Sequence, residues 1–212
     1  MKNQLKAIEI VKQIIKEIPL WLKVGIKEKD LSEKIKRALK KQGAKPAFRT
    51  IVASGKRSAK PHGFATNKKI KKGELVVVDF GAKYRGFCSD LTRTFVMGKP
   101  TEKQKRVIEA VKAAQKVAIS KIRPGIQACK VDQAARNYLE KKNLAQYFIH
   151  STGHGIRNKV HEAPKLSKKN KNKLREGQVV TVEPGVYIKG WGGVRIEDMV
   201  LVTKSGAKIL TN

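Results

Sequence analysis

Near the N-terminus, apolar residues recur at helical spacing. Leu5, Ile8, Val11, Ile15 and Ile18 fall on one face of a helix, and Pro19 is expected to stop it. Asp30 and Glu33 form a capping-box-like start to a second helix, which carries Leu31, Ile35 and Leu39 and ends at Gly43. The period then shortens. Ile51–Gly55 reads as a short strand running into a Lys-rich turn that holds His62. Leu75–Val78 is a continuous apolar run of the kind that forms a buried strand. The strands around Asp79 and Asp90 close at Gly98-Lys99-Pro100.

The same order then recurs. Thr101 and Gln104 give a capping pattern ahead of a helix bearing Val107, Val111, Ala114 and Ala118. Pro124-Gly125-Ile126 matches Val24-Gly25-Ile26, and Val131–Leu144 matches Leu31–Ala44 as a helix followed by a loop. Tyr147–His150 reads as a strand entering a bend at Gly153 and Gly155. Lys72–Ala82 (KGELVVVDFGA) is echoed by Glu176–Val186 (EGQVVTVEPGV). The reading is an α+β fold: an internally duplicated helix-helix-strands unit with a shared, mostly antiparallel curved sheet and outer helices. Residues 1–212 form a single domain, with pseudo-two-fold halves of about 1–100 and 101–212.

The duplication matters because it repeats acids. Asp79 and Glu183 close the two apolar runs, and each is followed by a second acid, Asp90 in GFCSD and Glu197 in GVRIE. An ionised carboxylate buried without a partner costs several kcal/mol or more. Four aimed at one place require cations, and a pair of divalent metals matches their charge. The alternative, a separate Lys or Arg for each acid, does not explain the repeated positions.

Composition changes the picture in two respects. Lys and Arg number 48 against 17 Asp and Glu, a net charge of +31. Lys is spread along the chain, so the expected consequence is weak, non-specific, salt-sensitive binding to nucleic acid. Cys88 and Cys129 are the only cysteines, too few for a disulfide framework, and no run suggests a membrane helix or a signal peptide. A reduced, cytoplasmic setting is expected.

There are four histidines: His62, His150, His154 and His161. Three lie in HSTGHGIRNKVHE, where Gly153 and Gly155 flank His154 and argue for close backbone approach. His161-Glu162 starts like HExxH, but position 165 is Lys, so the helical metalloprotease motif is absent. One His with four carboxylates suits Mn, Co, Fe or Zn. Paired metals sharing carboxylates usually perform hydrolysis.

These passages resemble one family. VVVDFGAKYRGFCSDLTRTF, HSTGHGIRNKVHEAP and VVTVEPGVYIKGWGGVRIEDMVLVT are similar to the pita-bread metallopeptidases, in their Xaa-Pro aminopeptidase and prolidase branch. The resemblance runs from about residue 5 to 210 and corresponds to the catalytic domain. It implies a dinuclear exopeptidase that hydrolyses the N-terminal Xaa-Pro bond of peptides with proline at position two, as an aminopeptidase or a dipeptidase. Asp79 would hold one divalent ion, His154 and Glu183 the other, and Asp90 and Glu197 would bridge both. Glu183 would also shuttle a proton, and His161 would stabilise the tetrahedral intermediate. His62 would contact the substrate near the leaving nitrogen, His150 would line the proline side, and Arg195 would orient a ligating carboxylate.

Most proline-directed relatives carry a separate N-terminal domain that this resemblance does not include, so the groove is expected to be open to tripeptides and longer chains. A homodimer, or capture of a C-terminal carboxylate by Arg157 and Lys159, would instead favour dipeptides. A methionine aminopeptidase is the alternative within the family. A non-catalytic pita-bread protein that binds nucleic acid or the ribosome is the alternative outside enzymes.

Overall fold

The N-terminal apolar spacing does form a helix, but its buried face is rotated from the expected one. The computed structural model describes residues 1–212. In it α1 (Lys2–Trp21) buries Ala7, Ile8, Ile10, Val11, Ile14 and Ile18, while Leu5 is 45% exposed. Pro19 lies inside the last turn and does not stop the helix. A proline costs one backbone hydrogen bond, and so near a helix end the loss is small. The second helix, α2 (Glu28–Lys41), starts earlier than expected: Lys27 is its N-cap with no side-chain cap, and Asp30 sits inside the first turn. There its charge still suits the helix dipole. Gly43, at φ 72°, follows the helix end as expected.

The first half continues with β1 (Lys45–Pro46), β2 (Ile51–Ser54), β3 (Leu75–Phe80), β4 (Ala82–Tyr84), β5 (Phe87–Cys88) and β6 (Leu91–Val96). The second opens with α3 (Glu102–Ser120), whose capping box is formed: Gln104 N–H donates to Thr101 Oγ1 at 3.2 Å and Thr101 N–H to Gln104 Oε1 at 2.9 Å. Then follow α4 (Ala128–Glu140), β7 (Gly153–Gly155), β8 (Glu162–Leu166), β9 (Val179–Val182), β10 (Gly185–Ile188), β11 (Gly192–Arg195), β12 (Asp198–Val202) and β13 (Ala207–Ile209). Tyr147–His150 is not a strand. It follows a short 3₁₀ turn at Ala145–Tyr147, where Phe148 turns into the core.

All nine strand pairs are antiparallel, in four hydrogen-bonded sheets. The duplication is visible in their order: β2-β3-β6 in the first half, β7-β9-β12 in the second, with hairpins β4–β5 and β10–β11 in corresponding places. The loops repeat as well. Gly25 N–H donates to Ile70 O at 2.8 Å, and Gly125 N–H to Leu174 O at 2.9 Å. Helices α1 and α2 cover one apolar cluster around Val76, Val78 and Phe80, and α3 and α4 cover another around Val180, Val182 and Val200. The carboxylates stand between these two cores. The halves meet where β6 faces residues 195–197: Glu197 N–H donates to Thr92 O at 3.1 Å, and Arg195 N–H to Thr94 Oγ1 at 3.1 Å.

The glycines around His154 answer to close approach. A Cβ on Gly153 would stand 1.9 Å from the Thr181 carbonyl oxygen, and one on Gly155 2.3 Å from that of Ala163. Both obstacles are backbone in paired strands, which cannot swing aside. Gly206 has open space around it. We expect Gly153→Ala to lower the unfolding free energy by about 1–3 kcal/mol and Gly206→Ala to change it by less than about 0.5 kcal/mol. Urea midpoints of the two variants check this, and equal midpoints would contradict it.

Candidate metal centre

Each acid takes its place from the strand it ends or begins. Asp79 lies in β3 opposite Thr92 of β6, and Glu183 directly follows β9. Asp90 directly precedes β6, and Glu197 directly precedes β12. The repeat thus delivers two strand ends and two strand starts to one region. His154, in the middle of β7, joins them: its Nε2 is 3.2 Å from Glu183 Oε1 and 3.8 Å from Asp90 Oδ2. Ligand-capable atoms of Asp90, His154 and Glu197 all lie within 4.8 Å of one another.

Hydrogen bonds to Asp79 and Glu197 engage one oxygen of each and leave the other free. Arg195 Nη2 donates to Asp79 Oδ2 at 2.7 Å, and the Thr92 hydroxyl to Glu197 Oε2 at 2.6 Å. Asp79 Oδ1, Asp90 Oδ1 and Glu197 Oε1 are buried with no hydrogen-bond partner. Orphaned buried carboxylate oxygens are rare because they are costly, and three around one imidazole fit a cation-binding centre. His154 is oriented for the same purpose. Its Nδ1 lies 3.1 Å from the Gly155 carbonyl, which places a proton there and turns Nε2 to the acids, where it donates to Glu183 when protonated and can offer its lone pair to a cation when not. The arrangement fits divalent ions held by oxygen and imidazole nitrogen.

Electrostatics agree. Burial, and then the charge of neighbouring acids, push Asp90 and Glu197 well above the ordinary carboxylate range. Burial also raises Asp79, against the opposing pull of Arg195. Burial works against a charged His154, but its hydrogen bond to Glu183 and that group's charge outweigh it and raise its pKa. For Glu183 burial raises the pKa, yet His154 lowers it overall. The raised acids mark a region short of positive charge.

Two residues that sequence reasoning did not single out complete the network. Tyr187 is buried, and burial pushes its hydroxyl up to about 12. Arg195 Nη1 donates to the Tyr187 hydroxyl at 2.7 Å, and that hydroxyl lies 2.8 Å from His150 Nε2. His150 Nδ1 is 2.8 Å from the Ser151 carbonyl, so it carries the ring proton, and Nε2 accepts from Tyr187. Thr92 is the second, bonded to both Glu197 and Arg195 Nε. Neither has a local motif: each is found through cross-strand register, which a single strand does not disclose.

A cavity of about 790 Å³ opens over the acids. His62, His150, His154, His161 and Arg195 line it with Asp79, Asp90, Glu183 and Glu197, so the four acids, the four histidines and Arg195 are brought to one place. The His161 ring lies 4.3 Å from that of His154. Phe48, Phe64 and Ile149 form apolar wall, and Arg49 and Lys165 supply cations. Arg157 and Lys159, expected as a carboxylate clamp, do not line it; both are exposed beyond β7. Asp198, next to Glu197, is paired with Arg93 at 2.7 Å and takes no part.

The Metallopeptidase family M24 model matches residues 2–204. The chain is 48% identical over 207 residues to the Xaa-Pro dipeptidase of Pyrococcus horikoshii, covering 97% of this chain and 59% of that one. It superposes on the prolidase from Pyrococcus furiosus with a TM-score of 0.98 at 45% identity, covering all of this chain and 63% of that one. The X-Pro aminopeptidase from Thermotoga maritima gives 0.97 at 39% identity, with 60% of its length covered. The chain therefore spans about three fifths of these relatives. With these neighbours, the α+β arrangement is the pita-bread fold.

The raised acids fix a pH dependence. A carboxyl whose folded pKa exceeds its unfolded value stabilises the fold below the ordinary carboxylate range, near pH 4, and that contribution is lost as pH rises through the folded value. Metal reverses the demand by requiring deprotonated ligands. We expect Mn²⁺ to release protons on binding and to raise the thermal midpoint more at ~pH 8 than at ~pH 5. Calorimetry in buffers of different ionisation enthalpy checks this. Proton uptake, or an equal gain at both pH values, would contradict it.

Proposed function

The chain belongs to metallopeptidase family M24, and from that premise we propose that it is a dinuclear-metal exopeptidase acting on the N-terminal Xaa-Pro bond of peptides. The observation that carries the proposal is the set of partnerless buried oxygens of Asp79, Asp90 and Glu197, together with the close grouping of Asp90 and Glu197 with His154. The likeness to an Xaa-Pro dipeptidase and to prolidases supports the substrate class. Residues 1–212 are read as one catalytic unit of two halves. Two free cysteines and the lack of any helix long and apolar enough to cross a membrane suit a cytoplasmic setting.

In this reading Asp79, Asp90, His154, Glu183 and Glu197 hold two divalent ions, of Mn, Co, Fe or Zn type. The ions supply positive charge that makes water nucleophilic at neutral pH and polarises the scissile carbonyl. Glu183 takes a proton from the attacking water on a carboxylate oxygen and delivers it to the proline nitrogen as the C–N bond breaks. The leaving proline nitrogen, like that of any hydrolysed amide, must gain a proton as the C–N bond breaks. His161 and His62, both exposed at the cavity wall, donate to the carbonyl oxygen and contact the leaving group respectively. Arg195 and Thr92 hold Asp79 and Glu197 so that their other oxygens stay aimed inward.

Glu183→Gln removes the proton carrier with little change of shape. We expect kcat to fall about a hundredfold or more, with Ala-Pro peptides preferred over Met-Ala peptides by the unaltered chain. Full activity in the variant would reject the role of Glu183, and a preference for Met-Ala would favour the methionine aminopeptidase reading.

Chain-length preference rests on the cavity's cations. Arg49 and Lys165 line the cavity and Arg157 and Lys159 do not, so in this reading the first pair meets a dipeptide's carboxylate. Arg49→Ala combined with Lys165→Ala should lower kcat/KM for Ala-Pro about tenfold relative to Ala-Pro-Ala-Ala, since a hydrogen bond to a charged group is worth roughly 1.5–3 kcal/mol. Arg157→Ala should leave that ratio unchanged. A change confined to Arg157→Ala would restore the original clamp.

A further inference from the structure

Two acids outside the cavity are fully buried, and each is bonded to the segment that carries one histidine of the site. Glu28 is the first residue of α2 and is 0% exposed. Its Oε1 accepts from Ser54 N–H and Ser54 Oγ, both at 2.8 Å. Its Oε2 accepts from Thr66 N–H at 3.1 Å, from Thr66 Oγ1 at 2.7 Å and from Arg57 Nη1. Arg57 Nη2 in turn donates to Phe64 O at 2.8 Å. The bonds fall at Ser54, Arg57, Phe64 and Thr66, so they bracket His62.

Asp132, in α4 and also 0% exposed, does the same in the other half. Its Oδ1 accepts from Thr152 N–H at 3.0 Å and Thr152 Oγ1 at 2.8 Å, and its Oδ2 from Arg136 Nε at 2.7 Å. Arg136 donates onward to the carbonyls of Phe148, at 2.8 Å, and His150. These bonds bracket His150. The two acids are not equivalent places in the repeat, because Ala128 stands where Glu28 does. One chain has reached the same arrangement twice by different residues.

We propose that Glu28 and Asp132 are positioning residues, each paired with an arginine to clasp the segment that presents His62 or His150 to the substrate. A buried ion pair is a poor source of stability compared with apolar packing of the same volume, but it fixes several donors in one geometry. Both segments need that, because neither is held by a strand ladder: His62 follows a 3₁₀ turn and His150 lies between a 3₁₀ turn and β7. Neither acid touches a metal ligand itself, although Thr152, which Asp132 holds, also accepts the Glu183 N–H at 2.7 Å.

The assignment rests on the substrate roles proposed for His62 and His150, so the test has a readout that does not depend on them. Glu28→Gln and Asp132→Asn are compared in the full chain with the milder Thr66→Val and Thr152→Val, which each remove one hydroxyl donor. Measured are metal content, kcat and KM for Ala-Pro, and ring signals of labelled histidine assigned by His→Gln variants. The Glu28 and Thr66 variants should shift or broaden the His62 signal and lower kcat, about tenfold for Glu28→Gln, at constant KM. The Asp132 and Thr152 variants should do so to His150 and raise KM instead. Metal content should stay at the unaltered value in the Glu28 and Thr66 variants, and the Asp132 and Thr152 variants are compared at matched metal occupancy, because Thr152 O also accepts the Glu183 N–H. Should a charge-removing variant fail to fold, its threonine counterpart decides. Unchanged signals in folded variants, or equal disturbance of both histidines by either clasp, would overturn the proposal. An unaltered chain that fails to cut Ala-Pro would reject the peptidase reading, while the histidine signals would still decide the clasps.

Discussion

The fold is organised around an electrostatic demand: several carboxylates converge in a buried region that holds one arginine. Arg195 bonds Asp79, but a single guanidinium cannot neutralise Asp79, Asp90, Glu183 and Glu197 together. The cost of leaving such charges in the interior is several kcal/mol for each. The surrounding donors do not relieve it. Thr92 and Arg195 occupy the outer oxygens and leave the inner ones bare. The network holds the acids in place without satisfying them, which is what an ion-binding centre needs before the ion arrives.

Duplication makes this convergence cheap to build, and the site depends on where the two copies differ. Asp79 and Glu183 occupy the same place in the repeat, as do the strand orders β2-β3-β6 and β7-β9-β12. Register shows the departure. Ser54 faces Val76, and Gly155 faces Val180, the equivalent of Val76; His154 therefore stands where Ala53 stands in the first half. Ala53 packs as an ordinary buried residue, and a Cβ on Gly63 would lie 2.7 Å from it. Thr181, where the first half has Val77, accepts the His154 N–H at 3.1 Å. One half keeps an apolar strand, and the other exchanges two of its positions for an imidazole and a hydroxyl that seats it.

Much of this was legible in the sequence because buried strands ending in acids break a strong expectation about cost. The acids, His154 and the helical repeat follow from that break, and the glycines around His154 from the need for close approach. What was not legible depended on tertiary choice. Which face of α1 turns inward is decided by the strands it covers, so Leu5 lies outside although its spacing fits. Asp30 has the chemistry of a cap, but the chain enters α2 earlier, from a bridge between Lys27 and Lys69. Tyr187 and Thr92 acquire their roles from residues across a ladder. The place of the Arg157–Lys159 cations depends on a similar choice: their backbone is tied down at Cys88, where Cys88 N–H donates to Arg157 O, and neither side chain lines the cavity.

The same network accounts for how a proline ring could be met at the far side of the acids. Both nitrogens of His150 are engaged, Nδ1 with Ser151 O and Nε2 with Tyr187. Burial lowers its pKa, so the ring stays neutral. A neutral imidazole with no free donor or acceptor offers the cavity only carbon edge and ring face. That surface suits a side chain closed onto its own nitrogen, which has no N–H to donate. A residue with an amide N–H would bring a donor into the same place and find no acceptor there, at the cost of an unmet polar group. Arg195 links this surface to Asp79 through Tyr187, so one hydrogen-bonded network joins the buried carboxylates to the face that His150 turns to the cavity.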